Sequence, residues 1–135
     1  MKKLYYKIEL RIERMDDSNK KEDDWIKYYS TGYVIIDNGN IEGYLTMDLI
    51  SGIISNSERI HIQLIEHNEN KEDKFHTFSG VCEDLELPGE YELEEDQNPN
   101  IFAEILFIES VKKVAKQKKI RQELKRVKTL HPILS

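Results

Sequence analysis

From Tyr6 to Ile12 every second side chain is apolar, with Lys7, Glu9 and Arg11 between them. A period of two sends neighbouring side chains to opposite faces, so this run predicts a strand with one buried and one wet face. Runs at 25–36, 41–46, 50–55, 59–66, 74–82, 90–94 and 101–109 are also strand-like, rich in aromatic and β-branched residues and separated by polar turns. Gly32 interrupts the second run and suggests a bend or bulge. Asn38-Gly39 between the second and third runs is a strong hairpin signal, because both residues tolerate positive φ. Pro88-Gly89 and 97–100 supply further turns. The run at 101–109 has so few polar interruptions that burial on both faces is expected.

Eight short strands joined by turns leave no room for crossover helices, so neighbours should be antiparallel. An eight-stranded meander must hide two edges, and closing on itself removes both. The expected fold is therefore mainly β: a roughly eight-stranded antiparallel up-and-down barrel at 1–109, with a two-sheet sandwich as the alternative.

After residue 109 the period changes. Residues 110–128 have a helix-forming composition, with Ser110 as the expected N-cap, Pro132 as the stop and 129–135 as a tail. At 100° per residue, Val111, Val114 and Ala115 lie on one side, and Ile120, Leu124 and Val127 lie on the other. Three arrangements fit. The helix breaks near 116–119; or its first half packs on the barrel while Ile120, Leu124 and Val127 meet a second copy or another protein; or a bend lays both halves on the barrel.

Composition narrows the class. A chain of 135 residues with 39% hydrophobic and 34% charged residues suits one globular domain, and no apolar stretch is long enough for a membrane helix. The start, Met1-Lys2-Lys3-Leu4, lacks a signal peptide's apolar block, and a single cysteine, Cys82, fits a reducing compartment; the cytoplasm is expected. The net charge of -6 is unevenly spread: residues 110–135 carry nine bases against one acid, leaving an acidic body with a basic end. A basic helix can serve as an arm for nucleic acid, but the acidic body disfavours phosphate, so nucleic acid is not the expected partner.

The segment 25–93 carries Tyr29-Ser30-Thr31-Gly32-Tyr33, Val34-Ile35-Ile36-Asp37-Asn38-Gly39, Ile41-Glu42-Gly43-Tyr44, Ser51-Gly52-Ile53-Ile54 and Phe78-Ser79-Gly80. In these it resembles small bacterial calycin-like domains, which share their shape with lipocalins and avidins. The resemblance implies a barrel and brings no activity or catalytic residue with it.

Candidate chemistry is sparse. Cys82, His76 and Asp84 have the types for thiol catalysis, but six strand intervals of about 3.3 Å separate the cysteine from the histidine. His61, His67, His76 and His131 show no metal-ligand spacing, so no metal or cofactor is expected. Asp37 and Glu42 flank a turn, where carboxylates sit in water. Tyr28, Tyr29, Tyr33 and Tyr44 could form a stacking platform, but serve equally as strand aromatics. The function expected is a non-catalytic binding or interaction module, holding a small apolar ligand or presenting a partner surface, with an enzyme site in the barrel mouth or nucleic-acid contact through the basic C-terminal helix as the alternatives. A pocket is expected among Trp25, Tyr33, Glu42, Tyr44 and Phe78, and partner contacts at Ile120, Leu124 and Val127.

Overall fold

The computed structural model describes residues 3–14, 28–47, 50–56, 59–67, 72, 74–81, 90–96 and 101–130. Eight strands follow one another: β1 (Leu4–Arg14), β2 (Tyr28–Asp37), β3 (Asn40–Met47), β4 (Ile50–Asn56), β5 (Arg59–Glu66), β6 (Lys74–Val81), β7 (Glu90–Glu95) and β8 (Ile101–Ser110). Each pairs antiparallel with the next, and β8 returns to β1, so the sheet closes into an up-and-down barrel. Closure removes both edges, which is why the meander needs no covering element for its backbone groups. One helix, α1 (Val114–Leu130), follows.

Alternation fixes what fills the barrel. Ile8, Leu10 and Ile12 on β1, Val34 and Ile36 on β2, and Ile60, Ile62 and Leu64 on β5 point inward, and with residues from the other strands they form one cluster of sixteen buried side chains among the described residues. Phe78 is the largest of the fully buried ones. The β2–β3 hairpin turns on Asn38 and Gly39, with φ of 55° and 76°, and Ile36 faces Ile41 across it.

Three sequence expectations change. Gly32 makes no bulge: it keeps register with Ile8 and Leu45, and its lack of a side chain admits the Tyr44 carbonyl oxygen, which a Cβ there would meet at 1.9 Å. The irregularity lies instead between β1 and β8, where Ile8 faces Phe107 but Lys7 faces Glu109, leaving Ile108 as an extra, exposed residue. Nor is β8 buried on both faces. Ile101, Ala103 and Ile105 are buried, whereas Phe102, Glu104 and Leu106 are only half-buried.

The helix also begins later than expected. Ser110 is paired with Tyr6, and the Val111 N–H donates to the Tyr5 carbonyl at 2.8 Å, so this backbone still belongs to the sheet and cannot cap a helix. The first helical bond runs from the Gln117 N–H to the Lys113 carbonyl, and the Gln117 side-chain amide donates to the Val111 carbonyl at 2.9 Å.

Candidate functional site

The most elaborated part of the described surface is the outer wall of β1–β4 and the helix lying on it. Tyr5, Ile35, Tyr44 and Ile53 occupy outward positions, where alternation would call for polar residues, and they form a second apolar cluster with Ile120, Leu124 and Val127. The helix uses an i, i+4, i+7 stripe that is almost wholly buried, each such side chain contributing about 1.5–3 kcal/mol.

This reverses the expected division of the helix. Ile120, Leu124 and Val127, expected to meet a partner, pack on the chain's own barrel, while Val114 is 75% exposed and Ala115 is exposed. Val111 alone of the first group packs against the wall, from a position before the helix starts. The helix neither breaks nor bends to lay both halves down; a stripe of large aliphatic side chains matches the wall better than Val114 and Ala115 do.

Polar contacts fasten the rim. Arg121 Nη1 donates to Tyr5 Oη at 2.7 Å and its guanidinium carbon lies 5.9 Å from that ring's centre. Lys116 Nζ sits 4.8 Å above the centre of Tyr33, a cation–π arrangement. Lys128 Nζ donates to Glu42 Oε2 at 2.7 Å. Within the helix, Arg126 holds Glu123, and that hydrogen bond keeps the Glu123 carboxyl below the usual carboxylate range. Under the helix, burial raises the Tyr44 phenol pKa, with the neighbouring Glu123 carboxylate and Tyr33 phenol adding to the effect.

The residues expected to share a pocket do not converge. Ile41 and Leu45 point into the barrel, so Glu42 and Tyr44 between them point out; Val34 and Ile36 likewise turn Tyr33 outward. Tyr33 and Tyr44 are neighbours, with ring centres 6.0 Å apart, but Phe78 lies on the other side of the wall, in the interior. Trp25 lies outside the described residues, as do Cys82, Asp84 and His131. Sequence reasoning missed Tyr5, Ile35 and Ile53 as the helix's bed. Their signal was available: they are apolar residues on the wrong face of alternating strands.

Two further features carry polar groups. A half-open cleft of about 220 Å³ beside the β2–β3 turn is lined by Lys3, Asp37, Asn40, Glu42 and Asn56, with Asn56 Oδ1 already accepting the Ile41 N–H at 2.7 Å. Elsewhere, His76 Nε2 lies 3.5 Å from Glu66 Oε2, and Ser51 Oγ lies 3.2 Å from His67 Nε2. Among the described residues, no three His, Cys, Asp or Glu side chains gather to hold a metal ion, and no helix is long and apolar enough to cross a membrane. No family model, curated protein or solved structure matches this chain.

Proposed function

We propose that this chain is a non-catalytic interaction module of calycin-like build, in which the barrel is the scaffold and the helix-bearing wall is the docking element. The closed, sequential antiparallel barrel supports the calycin-like part of the reading. The interior cluster carries the functional part. Sixteen buried side chains of the chain itself, including the bulky Phe78, Ile62, Leu45 and Ile105, occupy the space where a ligand-carrying barrel would keep its cargo. The single cysteine fits a reducing compartment, and the cytoplasm is the location this reading assigns.

The test is a titration of the full chain with a long-chain fatty acid and with an environment-sensitive apolar dye, beside an Ile62→Ala variant that opens space in the core. The module reading expects no saturable one-to-one site in the native chain and measurable dye uptake only in the variant. A saturable site in the native chain would transfer the role to ligand carriage.

A further inference from the structure

We infer that the outward face of α1 docks on the acidic wall of a second copy of this chain, head to tail. The inference rests on the module reading and names its partner. With Ile120, Leu124 and Val127 turned to the barrel, the opposite side of the helix presents Lys118, Gln122, Lys125 and Thr129 to solvent. Four cations of the helix are engaged, by Tyr33, Tyr5, Glu123 and Glu42. Lys118, Lys119 and Lys125, together with Lys112 and Lys113 ahead of the helix, are exposed and have no acidic partner among the described residues.

The complementary surface is the β7–β8 part of the ring: β7 stands opposite β3, and β8 pairs with β1 beside the helix-bearing β1–β4 wall. The sequence of β7, β8 and Asp96 holds seven acids and no Lys or Arg. Leu93 and Glu95 are buried, so Glu92 and Glu94 face outward, and both are exposed. Glu92 is directly opposite Glu104 in the ladder, a like-charge pair that destabilises a sheet unless a cation answers it. Arg11 is opposite Glu104 on the other side, yet it lies 3.6 Å from Glu9 and is engaged there.

A polyanion would satisfy the helix and leave Glu94 and the Glu92–Glu104 pair as they are. A second copy answers both with one contact, and because the two faces differ, the arrangement is heterologous: it closes into a ring or continues as an open array. The net charge of -6 opposes assembly at neutral pH. It shrinks toward zero as the pH approaches the sequence pI of about 5.3, so assembly is strongest in dilute salt slightly below neutrality.

Sedimentation equilibrium of the full chain at pH 6 tests this in about 10 mM and about 1 M salt, where the screening lengths are about 30 and 3 Å. The weight-average mass should rise at least about twofold above 16.0 kDa with concentration in low salt and return to the monomer value in high salt. The triple variant Lys118→Glu, Lys119→Glu, Lys125→Glu and the triple variant Glu92→Lys, Glu94→Lys, Glu104→Lys should each be monomeric alone, folded by circular dichroism, and should assemble when mixed. A monomeric native chain in low salt overturns the inference and leaves the dye titration to judge the module reading separately. So does association indifferent to the β7–β8 charges, or a native chain that stays monomeric and binds a DNA duplex through the helix lysines.

Discussion

Lys128 Nζ and Glu42 Oε2 stand 2.7 Å apart and join the last turn of the helix to β3, with both side chains about half exposed. Exposure decides the strength of the pair: solvent screens it, and such bridges contribute about 0–1 kcal/mol. A double-mutant cycle on Lys128→Ala and Glu42→Ala should return a coupling below about 1 kcal/mol that shrinks further in concentrated salt. A coupling of several kcal/mol would mean that the pair is far drier than its exposure indicates.

The apolar stripe carries much more. Leu124 and Ile120 are 4% and 1% exposed, so truncating either to alanine removes buried methylenes and leaves a gap against Tyr44 and Ile53. Urea unfolding should show losses of about 2–4 kcal/mol for Leu124→Ala or Ile120→Ala, against less than about 0.5 kcal/mol for Val114→Ala. Equal losses at all three positions would contradict the orientation of the helix.

Tyr44 gives the stability a dependence on alkaline pH. Burial, then the neighbouring Glu123 carboxylate and Tyr33 phenol, hold its folded-state pKa above the ordinary phenol value of 10.0. The folded chain therefore keeps a proton that the unfolded chain gives up. Its contribution is complete below pH 10 and is lost as the pH rises from there toward the folded-state pKa. Denaturation midpoints measured from pH 9 upward should fall, and Tyr44→Phe should flatten that part of the decline; an unchanged slope in the variant would show that the phenol titrates normally.

The glycines on β2 and β3 should differ from the one on β4. A Cβ at Gly32 or Gly43 would lie 1.9 Å from the Tyr44 or 2.3 Å from the Tyr33 carbonyl oxygen, and backbone cannot easily yield. At Gly52 the nearest atom is Leu64 Cδ2, at 2.6 Å, the end of a side chain that can turn. Gly32→Ala and Gly43→Ala should each cost about 1–3 kcal/mol or more, and Gly52→Ala less, as read from thermal melts. The reverse order would place the tight strand contact elsewhere.

Strand count and connectivity were readable because both are local. Period-two runs name the strands, and Asn38-Gly39 names a hairpin by its tolerance of positive φ, realised at 55° and 76°. Facing was readable wherever alternation is strict, as in β1. The pocket residues failed for a different reason: Tyr33 and Tyr44 are as apolar as Phe78, and nothing in residue type says which side of the wall an aromatic takes. Only the company of Val34, Ile36, Ile41 and Leu45 decides it, by claiming the interior. The helix start failed because Ser110 suits a cap locally, while its strand partner, Tyr6, lies more than a hundred residues away in sequence. The stripe Ile120, Leu124 and Val127 was legible as a packing surface, but its destination is a nonlocal contact that depends on Tyr5, Ile35 and Ile53 breaking the alternation outward.

The orientation of the helix underlies both the module reading and the lysine face, and thiol accessibility measures it directly. In a Cys82→Ser background, single cysteines at 118, 120, 124, 125 and 127 would be labelled with a maleimide under native conditions. Positions 118 and 125 should react at the rate of a free thiol, and 120, 124 and 127 should react at least about tenfold slower, opening only with the fold. Rapid labelling at 120, 124 and 127 together with protection at 118 and 125 would contradict the account.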